Sequence, residues 1–211
     1  MAAISSNFFG AKITAINLES VQKKIEQQGD EGMAVAVQAI NDTAEYAFDL
    51  GRESILDQIA FPAGYLDLPG RYLISRKAVL RDPQASIVAR DRPTALSRFV
   101  TSAPAPLKKG PVRVRVSRKG SGGTLRGAFI TPLKGGNKGV AIRVKRGEGI
   151  RGRDRDIAGL QAFREDEHGT TYLLYGPSVN QVFFDVVEDI EPNVSRFLVD
   201  RFSELYKKRF G

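Results

Sequence analysis

The apolar residues of this chain change their spacing twice, from steps of three and four to steps of two and back. Met33, Val37, Ile40, Ala44, Phe48, Gly51 and Ile55 recur at three- and four-residue intervals, which puts them on one face of an amphipathic helix. Asp30 can cap its start, and Val35, Ala36 and Ala47 widen the stripe enough to pack on two neighbours. After Asp82-Pro83 alternation takes over. Ala85, Ile87 and Ala89 alternate with Ser86, Val88 and Arg90, and Val112, Val114 and Val116 with Arg113, Arg115 and Ser117. Thr124–Thr131 and Val140–Lys145 continue the pattern between Gly/Lys-rich turns, which predicts an antiparallel meander. Gly176-Pro177 then places a proline at a first helical position, and Val179, Val182, Phe183, Val186 and Ile190 return to helical steps. Pro192 predicts a break or kink after Ile190. Val194, Phe197, Leu198, Phe202, Leu205 and Tyr206 line a second C-terminal helix, with Lys207, Lys208 and Arg209 at its dipole's negative end.

The succession predicts an α+β fold: an antiparallel β-meander packed with a long N-terminal helix and two C-terminal helices, with extended loops. Residues 1–30 read as an arm with a short polar helix, Glu19–Gln28, ended by Gly29. Residues 31–211 read as one domain, with 31–81 helical, 84–145 the meander, 146–170 a long loop and 171–211 the C-terminal helices. Within the first part, Arg71–Arg81 reads as a basic helix with Leu73, Ile74, Ala78 and Leu80 as its apolar set. The link from Ala60 to Gly70 is too long for a helix-turn-helix. Arg146–Gly169 has no period and reads as an arm that orders in an assembly.

Composition removes several classes. No run of ~18 apolar residues occurs, so no membrane span is expected. Met1–Asn17 holds one basic residue, Lys12, and no long apolar block, so no secretory leader is expected. Cysteine is absent, which excludes disulfides and thiolate metal sites and fits a reducing cytoplasm. His168 is the sole histidine, in a charged loop, so neither a zinc site nor a Ser/His/Asp triad is expected. Gly147-Glu148-Gly149-Ile150-Arg151-Gly152 matches the dinucleotide fingerprint literally, but no helix opens after it. Asp185, Glu188 and Asp189 read as the wet face of a helix. No cofactor and no enzymatic activity are expected.

Charge is distributed unevenly. The net charge is +8, yet Lys108–Arg155 holds 15 Lys/Arg against Glu148 and Asp154, or +13. The remaining 163 residues carry 17 basic and 22 acidic groups, or −5, and Glu165–Glu191 has seven carboxylates with no Lys or Arg. Two such surfaces attract each other within a subunit or between neighbours. Arg113, Arg115, Arg143, Lys145 and the Arg151-Arg153-Arg155 arm form the expected contact surface, and the acidic helix is its expected partner. A phosphate backbone is the other candidate, although Phe129 is the only aromatic between Lys108 and Arg155, too few for base stacking.

Four segments carry a resemblance to a known family. They are Ala39-Ile40-Asn41-Asp42-Thr43-Ala44, Leu68-Pro69 opening a basic helix, Arg126-Gly127-Ala128-Phe129-Ile130 with the following Gly139–Val144, and Leu174-Tyr175-Gly176-Pro177-Ser178-Val179. In order and content they resemble the phage minor tail protein Z family, the tail completion proteins of long-tailed phages, with Asn41, Thr43, Gly127, Phe129, Tyr175, Gly176 and Pro177 as matching positions. Arg146–Thr171 is longer than the family's link. The resemblance implies a structural virion protein of the neck, assembled in the host cytoplasm. It would form a hexameric or dodecameric ring, contact other neck and tail proteins, and touch packaged DNA in the channel without sequence preference. A tail terminator or head-tail adaptor is the alternative within virions, and a nonspecific DNA-binding protein the alternative outside them.

Overall fold

The computed structural model describes residues 5–7, 12–14, 18–108, 110–149 and 159–211. Helices and antiparallel strands are both present, as the spacing predicts, and the chain divides into two compact units.

The first unit gathers Met1–Ile55, Leu66–Arg90 and Phe183–Gly211. Two short strands, β1 (Ser5–Asn7) and β2 (Lys12–Thr14), pair antiparallel. Helix α1 (Leu18–Gln58) turns at Gly29, where φ is 55° and ψ −131°, so a polar helix precedes the long amphipathic one. Val35, Ala36 and Ala39 pack against Phe202 and Leu205 of α2 (Val179–Phe210). Glu31 meets Arg209 at 3.2 Å, Asp42 meets Arg201 at 2.7 Å, and Tyr46 stacks on Phe197 at 4.3 Å. Contacts ascend α1 as they descend α2, so the helices are antiparallel. Small residues on α1 let the large ones on α2 approach closely, and full burial of Phe202 contributes roughly 1.5–3 kcal/mol.

Two expectations are corrected in this unit. Arg71–Arg81 is not a basic helix. It contains β3 (Tyr72–Arg76), which pairs with β4 (Ser86–Ala89) in the register Tyr72↔Ala89, Leu73↔Val88, Ile74↔Ile87. Tyr72 and Ile74 suit a pleated surface, and a lone two-stranded ribbon is marginal. Ala78 and Ala85 anchor this one against Ile40 and Ala44 of α1. Nor are there two C-terminal helices, because α2 runs unbroken through Pro192. Pro192 is exposed, so the carbonyl it leaves without a donor lies on a wet face, while Ile190 and Val194 are buried on either side. Packing on both flanks outweighs a proline cost of ~3 kcal/mol.

The second unit holds Leu56–Tyr65 and Asp91–Val182. Its strands are β5 (Thr94–Ala95), β6 (Val100–Ser102), β7 (Gly110–Val114), β8 (Gly123–Pro132), β9 (Lys138–Lys145), β10 (Gly159–Asp166) and β11 (Gly169–Gly176). They follow the antiparallel order β10-β11-β9-β8-β7-β6. Strand β5 pairs with β11, and a 3-10 turn at Leu96–Phe99 carries the chain directly into β6, beside β7. One short segment thus touches both ends of the run β11-β9-β8-β7, so the sheet curls on itself. Val112, Val114, Leu125, Val140 and Leu174 are buried, while Arg113 and Arg115 are exposed, which is the alternation a one-sided sheet requires.

The stretch 146–170, expected as a loop, is corrected in part. Strand β10 makes a hairpin with β11, from Gly159↔Tyr175 to Asp166↔Gly169, with an irregularity at Ala162/Arg164. Its residues are almost all exposed, so no buried stripe marked it in the sequence. Residues 171–176, expected to open the C-terminal helices, belong to β11.

Candidate functional site

Strand β8 changes partners halfway along. Its first half pairs with β7, with Val114↔Gly123, Arg113↔Thr124 and Val112↔Leu125, and after a register shift Gly110↔Ala128. Its second half pairs with β9, from Phe129↔Ala141 to Pro132↔Lys138. The shift falls on Arg126-Gly127, and Gly127 has a φ of 83°, the left-handed backbone of a bulge. A bulge bends its strand and raises its twist, so β8 swings away from β9 at this point.

A cavity of about 660 Å³ opens where the two strands part. It is lined by Arg126 and Gly127 of β8, Ile142 to Lys145 of β9, and Arg146, Glu148, Gly149 and His168. Four cations therefore face one carboxylate. Arg126, Lys145, Arg146 and Glu148 are exposed. Arg143 is held more firmly, with its guanidinium 3.2 Å from Asp166 and its Nε 3.5 Å from the Thr171 hydroxyl. His168 tips the β10–β11 hairpin, 3.5 Å from Glu167, and its backbone N–H donates to the Asp166 carboxylate at 3.0 Å. Convergent cations in a concave site focus potential, so the lining favours negative charge.

Of the expected contact residues, Arg143 and Lys145 line this groove, whereas Arg113 and Arg115 lie exposed on and just beyond β7 and do not line it. Arg151, Arg153 and Arg155 lie outside the described residues. Asp185, Glu188 and Asp189 are exposed together on α2, as their spacing predicts. Alternation found the β9 pair. It could not find Arg126, because the groove depends on a partner exchange between strands distant in sequence. Glycine inside an alternating run is the one signal of it in the sequence.

The family-like positions do different work. The Asn41 side chain donates to the Ala78 carbonyl at 3.0 Å and accepts from the Ala78 N–H at 2.7 Å. The Thr43 hydroxyl donates to the Ala39 carbonyl at 2.6 Å. Ser178 caps α2 reciprocally with Gln181, at 3.0 and 2.9 Å, forming a capping box. A side chain at Gly176 would meet the Phe99 ring at 2.7 Å. Phe129 and Tyr175 hold ladder positions opposite Ala141 and Gly159, and Pro177 leads into α2 with its carbonyl 3.4 Å from the Thr94 N–H. Six of these positions fix elements, and Gly127 alone shapes the groove.

Among the described residues no group of three or more His, Asp or Glu is placed to hold a metal, and no helix is long and apolar enough to cross a membrane. Compared with family models, curated proteins and solved structures, the chain matches none.

Proposed function

We propose that the chain is a structural, non-enzymatic subunit of a tailed bacteriophage virion: a tail completion or neck protein whose copies form a ring joining tail to head. The carrying observation is the division of exposed charge between basic strands β7–β9 and the acidic face of α2 at Asp185, Glu188 and Asp189. Unlike surfaces on one subunit favour head-to-tail contact between copies, and such contacts close into rings when the rotation permits. Three of the four family-like segments, in family order, support the virion assignment; the basic helix expected after Leu68-Pro69 is strand β3 instead and gives no support. A terminator or adaptor ring would use the same contacts at a different level of the neck.

Native mass spectrometry of the purified protein, with and without tail-tube protein, tests this reading. A hexameric or dodecameric mass is expected at low ionic strength. It falls to monomer near 1 M salt, where the Debye length is ~3 Å, and returns on dilution. A monomer at every concentration and salt, indifferent to tube protein, removes the proposal. A tight gel shift of duplex DNA by that monomer would favour a nonspecific DNA-binding protein.

A further inference from the structure

The groove between β8 and β9 has a property beyond its charge. The β8–β9 ladder stops at Phe129↔Ala141, while β9 continues to Lys145 paired with β11 on its other side, up to Lys145↔Gly169. Over Ile142–Lys145, the β9 edge that faces the cavity has no paired strand among the described residues. Alternate residues of a strand direct N–H and C=O to each edge, so this edge presents donors and acceptors in turn. We propose that the groove accepts an extended acidic peptide segment, added as a strand to the free β9 edge, with its carboxylates against Arg126, Lys145 and Arg146.

Three observations select this occupant. The unpaired edge spans four residues, ~13 Å at strand rise, enough for a short extended segment, with the Lys145 carbonyl already taken by the Glu148 N–H at 3.0 Å. Arg126, Lys145 and Arg146 form no ion pair among the described residues, and Glu148 is the only carboxylate in the lining, so the complement is negative. Finally, a strand edge needs a partner that both donates and accepts. A phosphodiester backbone only accepts, and no Phe, Tyr or Trp lines the groove to stack a base, His168 being its one ring. Gly127 contributes by leaving the floor open, since nothing lies within 4 Å of where its Cβ would be. The inference stands on this groove alone, whatever particle the chain serves.

The test uses the full chain and fluorescence anisotropy with labelled (Glu-Thr)4. Further arms are (Lys-Thr)4, oligo-dT of matching charge, and two versions of the acidic peptide N-methylated at every Glu or every Thr. A strand directs all its Glu N–H groups to one edge and all its Thr N–H groups to the other. Strand addition therefore predicts that one methylated peptide loses binding about tenfold or more while the other keeps it. Arg126→Glu/Lys145→Glu should weaken the unmethylated peptide about tenfold or more, with an unchanged circular dichroism spectrum and melting temperature. Equal behaviour of the two methylated peptides, tighter binding of oligo-dT, or no binding of (Glu-Thr)4 would each overturn the proposal. Ring mass is read separately, so a failure here leaves the assembly reading to its own test.

Discussion

A single side chain, Asn41, makes with Ala78 the two hydrogen bonds that a neighbouring strand residue would make with its backbone. It thereby ties the turn after β3 to helix α1. Tyr72 poses the opposite case. Its ring stacks on Phe48 at 4.7 Å and meets Phe183 edge-on at 5.1 Å, yet its buried hydroxyl has no hydrogen-bond partner. That hydroxyl occupies the space a side chain at position 51 would need, which explains a glycine inside α1. Burial, and secondarily the charge of Asp49, pushes the phenol above its ordinary value of 10.0. The folded state keeps this proton while the unfolded chain releases it, so the stability is full below pH ~10 and declines as pH rises beyond it. Tyr72→Phe should be neutral or stabilising by up to ~1 kcal/mol in urea melts at pH 7, and should flatten the alkaline decline. Gly51→Ala should cost ~1–3 kcal/mol in the wild type and clearly less beside Tyr72→Phe. A full, additive cost in that double variant would show that the hydroxyl is not what excludes the methyl group.

At the scale of elements, Pro192 is the misfit in α2. It donates no hydrogen bond and sits exposed within a continuous helix. Pro192→Ala should therefore raise stability by ~1–3 kcal/mol, measured by thermal melting, with no change in helix content. A loss of stability would mean that the proline's restraint on the unfolded chain outweighs the missing bond. The same helix shows where periodicity misleads. A buried stripe from Val179 to Leu205 was legible, but the proline rule is local and the packing that overrides it is not. Strand β7 and the first half of β8 were legible because one face is buried and the other wet; β9 alternates only at its Arg143–Lys145 end, since Gly139–Ile142 is buried on both faces. Strand β10 was not, because both its faces are exposed. Arg71–Arg81 was ambiguous for a third reason: Leu73, Ile74, Ala78 and Leu80 fit a helical stripe, whereas Leu80 proves 55% exposed and Tyr72 becomes the buried anchor. For the groove, alternation supplied Arg143 and Lys145. The pairing exchange that adds Arg126 arises between strands and left only Gly127 as its trace.

For the whole molecule, the informative quantity is where charge remains uncompensated. Many surface pairs are internal, such as Arg52 with Asp67, Lys77 with Glu45 and Arg76 with Asp82, and exposed pairs of this kind contribute little. No ion pair among the described residues engages Arg113 or Arg115, nor Asp185, Glu188 or Asp189. If these two sets meet across a head-to-tail interface, reversing either alone sets like charges against each other, at a cost of several kcal/mol. Arg113→Glu/Arg115→Glu and Asp185→Lys/Glu188→Lys/Asp189→Lys should each run as monomers by sedimentation velocity. The first variant then carries acid on both surfaces and the second carries base on both. Mixed one to one, every contact between unlike variants pairs opposite charges, and every contact between like variants does not. The mixture should assemble where neither component does, into rings of strictly even number with the variants alternating. Native mass spectrometry would resolve this as a single one-to-one stoichiometry. Assembly of either variant alone, or a mixture that stays monomeric, would separate these charges from the interface and leave the ring, if one forms, to other surfaces.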